Sequence, residues 1–461
     1  MRETGATAER PHVEAFRQIV IWPLQLMPNE SDPRPPWERL VAADSAWHEL
    51  QDDFPDDPAR YQERHYREFV AFLPHVRRFL YGERASGTRA VYGESPIRIF
   101  RRDEVARLRL TLDETRPPFE LEVVHVDLYF FYDVDVVILV VEIEGRDLPL
   151  VDAQEIVYRF GRTYPAGWEA DGSAMNCFRS VEWISPSGEV MARSDDHDRA
   201  RFMAAVCRRQ ATAISAHWEW LLKPLSLDPC ERPSVAAYRQ LEFHRMPIMA
   251  FLALDDPRRL SRADAMRLAF ASVPGSSDDL PYGADFLADF EQKHCWDRFH
   301  DPARRDDWTD TRLMCSSQAF VAVADARRRF ALDGDRGILA QFRHQFFLVG
   351  LIAHFHRASL LMLSDRLVDT MNRLDPRRRE SVGRFRHDIR ATLETFLRFT
   401  HRYYFSEISD QAPLREIFHL WRGQLGTERL YGELREEISD MAGYLETDLL
   451  RRQAVTILQL T

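Results

Sequence analysis

The stretch ELEVVHVDLYFFYDVDVVILVVEIEG, Glu120 to Gly145, decides how the rest of the chain is read. Two runs rich in β-branched and aromatic residues flank Tyr132-Asp133-Val134-Asp135, a short link whose aspartates suit a turn. The pattern predicts a β-hairpin. Its second arm, VVILVVEI from Val136 to Ile143, is apolar at successive positions instead of alternate ones, so both of its faces need burial. A strand of that kind belongs in the middle of a sheet.

Working outward, RQIVIWPLQLMP (Arg17–Pro28) reads as another strand, ended by proline. Residues 29–60 are rich in proline and acid and read as surface chain. YQERHYREFVAFLPHVRRFLYG then places Tyr66, Phe69, Val70, Leu73, Val76 and Leu80 at helical intervals. PIRIFRR and ARLRLTLDE alternate apolar and polar residues, as half-buried strands do. Beyond the hairpin, LVDAQEIVYRFGRTYP reads as helix, FRSVEWIS as strand and residues 199–223 as helix. FHRMPIMAFLAL is a strand, SRADAMRLAFAS a helix capped by Ser261, and RLMCSSQAFVAVAD the last strand. Residues 1–334 therefore read as an α+β unit, a mixed α/β sandwich with the hairpin 120–145 at its centre.

The remainder, residues 335–461, reads as helix only. From Phe346 to Leu363 the sequence is apolar nearly all round, which predicts a helix buried on most sides. Asp375-Pro376 has the form of an N-cap followed by a first-turn proline. It opens a helix with the stripe Val382, Phe385, Ile389, Leu393, Phe396 and Tyr403. PLREIFHLWRGQLG follows. A final helix is expected from about residue 428, striped by Leu430, Leu434, Ile438, Met441, Leu445 and Leu449. Its 34 residues would span roughly 50 Å at 1.5 Å per residue, a stalk-like length.

Composition narrows the function. The 461 residues carry a formal net charge of −11, which argues against a protein that binds nucleic acid by neutralising phosphates and leaves room for cations. The five cysteines, Cys177, Cys207, Cys230, Cys295 and Cys315, form no C-x-x-C pair, and their odd number fits a reducing cytosol. The first residues, MRETGATAERPHVEAF, lack the apolar core of a signal peptide. No apolar run reaches the roughly 18 residues of a membrane span.

The last residues, YLETDLLRRQAVTILQLT, run through Arg451-Arg452 into an apolar tail, as the cytosolic edge of a membrane span does. An α/β unit, a helical region and a very long last helix, in that order, resemble the cytosolic portion of the CorA-type divalent-cation transporters. The hairpin, FGRTYP, VEWIS and FFLVGLIAHFHRASLLMLSDRLV resemble an enlarged bacterial branch of that family. The resemblance implies a pentameric homo-oligomer with stalk helices around an axis. It also implies regulation by Mg2+ or another divalent cation bound between cytosolic domains, full sites holding the pore shut. In the family two membrane helices follow the stalk, the first ending in Gly-Met-Asn. This sequence contains neither, so the chain is expected to be cytoplasmic as it stands, at the cytosolic face of the inner membrane if a C-terminal membrane portion is missing.

Hard cations take oxygen ligands, and Mg2+ keeps several waters, so a regulatory site needs only one or two carboxylates per subunit. Acidic clusters occur at Asp52-Asp53 with Asp56-Asp57, at Asp278-Asp279 and at Asp306-Asp307. The best candidate is SDDHD, where Asp195, Asp196 and Asp198 lie beside His197. His354 and His356, two residues apart, cannot share a helix face and read as core histidines. No phosphate loop, dinucleotide fingerprint or nucleophile elbow is present, so no catalytic residue is expected. Two alternatives to the transporter reading stand: a scaffold or interaction protein whose last helix packs internally, and an enzyme without a recognisable motif.

Overall fold

The computed structural model describes residues 10–441 and 443, apart from 30–31, 51–61, 84–94, 229–234, 242–243, 277–278, 301–309 and 376. The strands in chain order are β1 (His12–Leu26), β2 (His48–Glu49), β3 (Ile97–Arg101), β4 (Arg107–Thr111), β5 (Phe119–Phe131) and β6 (Val136–Pro149). They continue with β7 (Ser180–Ile184), β8 (Val190–Arg193), β9 (Ser226–Leu227), β10 (Ala237–Gln240), β11 (Ile248–Leu254), β12 (Cys295–His300), β13 (Asp310–Cys315) and β14 (Ala319–Asp325). The main path of the sheet runs β12-β13-β14-β11-β1-β6-β5-β4-β7-β8, with β11 and β14 parallel and its other neighbours antiparallel. The fold is α+β. The expected hairpin is β5–β6, and β6 sits in mid-sheet between β1 and β5, buried from Val136 to Ile143.

The helices are α1 (Pro36–Ala42), α2 (Glu63–Ala71), α3 (Pro74–Tyr81), α4 (Leu150–Arg159), α5 (Arg199–Arg209), α6 (Ala216–Leu222) and α7 (Arg262–Ala269). After them come α8 (Ala284–His294), α9 (Arg329–Leu332), α10 (Ile338–Gln341), α11 (Phe347–Asn372), α12 (Arg379–Arg402) and α13 (Ala412–Leu425). They form a layer on each face of the sheet. Along β6, Val137, Leu139, Val141 and Ile143 join one core, with Ile156 of α4, Trp218 of α6 and Met266 of α7. Val136, Ile138 and Val140 point the other way, into a core with Phe79 of α3, Phe355 of α11, Phe399 of α12 and Trp421 of α13. Residues 338–441 thus share their core with one face of the sheet.

Several elements differ from the sequence reading for identifiable reasons. Residues 63–81 form two helices, because Pro74 lacks a donor and drives Leu73 into the extended region. Residues 199–223 also split, α5 ending at Gln210 in the left-handed region (φ 52°). The last strand is a hairpin: Ser316 Oγ accepts from the backbone of Ala319 at 3.0 Å and turns β13 into β14. Asp375 does not cap α12, which opens at Arg379. Its carboxylate accepts from the Arg377 amide at 3.0 Å, and Pro376 lies outside the described residues. Ser261 does cap α7, accepting from the Asp264 amide at 3.0 Å.

Helices α10 and α11 run on from one another through a π-turn at Phe342–Phe346. The continuous helix Ile338–Asn372 is long and apolar enough to cross a membrane by length and composition, which the sequence reading missed by looking for an unbroken apolar run. Its most apolar window, mean hydropathy 1.6, is 83% buried within the protein. Packing against β1, β6, α12 and α13 already accounts for that apolarity. After Gly426, in the left-handed conformation that ends α13, residues 427–441 are helical again and pack through Leu430, Leu434, Ile438 and Met441. The rest of the expected stalk, with Leu445, Leu449 and Arg451-Arg452, lies outside the described residues.

Candidate functional site

The SDDHD segment leads from β8 into α5. Asp195 Oδ1 accepts from the Ala216 amide at 2.8 Å, at the start of α6, and Oδ2 pairs with Arg201 at 2.9 Å. Asp198 caps α5, accepting from the Arg201 amide at 3.0 Å. Asp196 is only 3% exposed and accepts a hydrogen bond from the Ser215 hydroxyl. Burial pushes its carboxyl up to about 6, more than the Ser215 hydrogen bond brings it down. Each carboxylate is therefore engaged separately, and the three do not converge on one point as a ligand set would. Among the described residues no group of three or more His, Cys, Asp or Glu side chains is placed to hold a metal ion. The clusters at 52–57 and 306–307, and Asp278, lie outside the described residues.

His354 and His356 sit in the helical core, both pushed down to about 3 by burial. His356 Nε2 lies 2.6 Å from the Tyr403 carbonyl, so that nitrogen carries the ring's proton.

The densest charged constellation is elsewhere, where the sheet meets the helical layer. Glu142 of β6, 1% exposed, takes Arg17 of β1 at 2.7 Å and Arg343 of the π-turn at 2.6 and 3.2 Å. Burial alone would raise the Glu142 carboxyl, but His125, Arg343 and Arg17 together outweigh it and hold it below the usual carboxylate range. Arg17 also reaches Glu144 at 2.5 Å. On β5, His125 lies between Glu142 (3.5 Å) and Asp127 (3.7 Å), and Asp127 is forked by Arg101 of β3 at 2.7 and 2.8 Å. Burial pushes the His125 ring down against the pull of those carboxylates. Arg343 and Glu142 are 201 positions apart, and the π-turn widens the helix at the residue that bridges them.

A second junction lies at the hairpin tip. Asp133 accepts from Arg402 at 2.8 Å and from the Tyr403 hydroxyl, and Arg398 stands 3.8 Å away. Asp135 pairs with Arg366 of α11. The turn aspartates thus also tie the sheet to α11 and α12. Sequence reasoning missed Arg17, Glu142 and Arg343. The available signal was a glutamate inside the apolar run VVILVVEI, a residue that cannot stay buried without partners. No protein-family model, no curated protein and no solved structure matches this chain.

Proposed function

We propose that this chain is the cytosolic regulatory and assembly portion of a CorA-like divalent-cation transporter, five copies ringing an axis and responding to Mg2+ or a related cation. The observation that carries the reading is the last described helix. Residues 427–441 pack on the helical core through one apolar stripe, and in the sequence that stripe continues through Leu445 and Leu449 to Arg451-Arg452 and AVTILQLT. A long apolar stripe of this kind is what a stalk shared with neighbouring copies needs.

In this reading a cation held by carboxylates from adjacent copies favours the closed ring, and its loss frees the copies to move. The segment Asp195–Asp198 contributes no step, because its carboxylates are spoken for within the chain. The two sheet–helix junctions would carry movement of the sheet into α11 and α12. The membrane is reached through a portion C-terminal to Thr461, and no covalent chemistry is assigned to the chain.

Molar mass by light scattering, with and without millimolar Mg2+, tests the reading. A fivefold mass with Mg2+ is expected, whereas a monomer at every Mg2+ concentration would count against it. The coding sequence past Thr461 gives an independent check: two apolar spans, the first closing on Gly-Met-Asn, are expected there.

A further inference from the structure

A cleft of about 560 Å³ opens where α7, α8, the β13–β14 turn and the end of α13 meet. Its volume falls within the roughly 300–1,000 Å³ common among small-molecule sites. One wall is aromatic. The Phe270 ring lies 4.4 Å from Phe290, 5.1 Å from Tyr282 and 5.8 Å from Phe286, centroid to centroid. Phe286 remains 53% exposed at the edge of this cluster, so the rings are not closed over by protein.

The other wall carries one cation, Arg245, with Arg162 behind it and outside the lining. Arg245 reaches Gln318 Oε1 at 2.6 Å and the carbonyls that end α7, Phe270 at 3.5 Å and Ala271. Arg162, 8% exposed, donates to His244 Nε2 at 2.9 Å and to the Tyr158 carbonyl at 3.3 Å. Both guanidiniums stand over the Tyr158 ring, at 5.9 and 5.1 Å from its centroid. Among the described residues neither forms an ion pair with a carboxylate. The half-buried arginines at the sheet–helix junction, Arg17 and Arg343, share Glu142. Burial and the neighbouring Arg162 push Arg245 down to about 9. Asp289 lines the same cleft, but its carboxylate is 2.6 Å from Lys293 Nζ. Two like charges held close in a half-dry place call for an anion, and among the described residues no carboxylate pairs with either.

We propose that this cleft binds a small aromatic anion, a flat ring seated against Phe270, Tyr282, Phe286 and Phe290 with a phosphate or carboxylate answering Arg245 in the field of Arg162. Stacking and charge are recognised at opposite walls, so ring and anion must belong to one molecule. Gln318 of the β13–β14 turn and Gln424 of α13 line the same cleft. A bound ligand therefore bridges the sheet edge to the helical layer and stabilises their docking. The inference stands apart from the transporter reading.

The test is calorimetric titration of the full chain with four probes: AMP, indole-3-carboxylate, adenosine as ring without charge, and inorganic phosphate as charge without ring. Saturable binding of AMP or indole-3-carboxylate is expected, the tighter of the two naming the anion. Adenosine and phosphate should each bind at least roughly tenfold more weakly. Phe286→Ala removes a half-exposed ring and leaves the core intact, and it should weaken binding by about tenfold or more. Arg245→Lys keeps the charge but loses the fork, and should weaken it similarly. No saturable binding of either aromatic anion up to about 1 mM, or unchanged affinity in a folded Phe286→Ala protein, would overturn the proposal.

Discussion

The two faces of the central sheet bury similar amounts of apolar side chain but treat polar groups differently. On the face covered by α4, α6 and α7, several buried polar groups end on backbone carbonyls, beside a buried ion pair within α7 between Asp264 and Arg267 at 3.4 Å. Trp183 Nε1 donates to the His217 carbonyl at 3.0 Å, Trp218 Nε1 to the Arg162 carbonyl at 2.8 Å, and Arg102 to the carbonyls of Trp220 and Leu221. On the face covered by α11–α13, His356 and Ser359 also end on backbone carbonyls, but Glu142 joins distant segments by ion pairs with Arg17 and Arg343. The first face is fixed largely through backbone carbonyls. On the second, a charged lock adds register to a greasy contact that by itself would tolerate sliding, a specificity role that buried ion pairs can serve.

Acid should produce the largest effect and expose the same asymmetry. His354 and His356 on the helical face, and His217 on the other, are each pushed down to about 3 by burial. Unfolded histidines titrate near 6.5, so below that pH the unfolded chain takes up protons that the folded chain refuses. Stability is therefore lost as pH falls from about 6.5 toward 3, by up to about 1.4 kcal/mol per pH unit for each histidine. Urea midpoints at successive pH values should show the loss. Replacing His354 and His356 with glutamine should remove about twice as much of the slope as His217→Gln. Equal contributions from the two faces would break the comparison.

Removing the charged lock comes next. Glu142→Ala takes from Arg343 its carboxylate and leaves Arg17 only Glu144, and should cost about 3 kcal/mol in chemical denaturation. Replacing all three with apolar residues of similar volume (Arg17→Met, Glu142→Leu, Arg343→Met) should recover most of that loss, since a buried ion pair seldom outperforms good packing. If the triple variant recovers stability but melts less cooperatively, the lock supplies register. If it recovers neither, the ion pairs contribute outright.

The contrast also explains what could be read from the sequence. The strands were legible because β-branched alternation in PIRIFRR and a two-faced apolar run in VVILVVEI are local patterns. The helical stretch was legible for the same reason, down to the buried Phe385, Ile389 and Phe396 of α12 and Tyr403 just past its end. Local chemistry that interrupts a pattern was harder: Pro74 inside a helical periodicity and Ser316 inside a strand-like run each divided one expected element into two. That residues 338–441 cover the sheet was not legible, since the pairing of Arg343 with Glu142 depends on topology. The carboxylates of Asp195, Asp196 and Asp198 looked like a ligand cluster because sequence adjacency hides direction. One caps a helix, one meets an arginine and one is buried under Ser215.

Asp196 gives the next prediction, opposite in sign to the histidines. Its folded carboxyl titrates near 6 against an ordinary value of 3.8, so folding favours the protonated form. That contribution is present below about 3.8 and is lost as pH rises through 6. Asp196→Asn keeps an acceptor for Ser215 without the charge, and should raise stability by about 2 kcal/mol at pH 7–8. The gain should vanish at pH 4. The same variant should steepen the acid loss between pH 6 and 4, because it removes one of the raised carboxyls, with Glu219 and Asp152, that offset His217.

The smallest effect belongs to the hairpin tip, where the lock reaches the surface. Asp133 keeps 16% of its side chain exposed, but Arg402 is 57% exposed and Arg398 53%, so water screens most of their attraction. Asp133→Asn should therefore cost only about 0.5–1 kcal/mol. The Tyr403 hydroxyl is held above its ordinary pKa by burial and by the Asp133 carboxylate beside it, and should titrate lower in the variant. A double-mutant cycle between Asp133→Asn and Arg402→Ala isolates the pair, with a coupling below about 1 kcal/mol expected. A coupling as large as the loss at Glu142 would mean that the tip and the buried lock act as one unit, and that charge alone, without burial, holds the helices on this face.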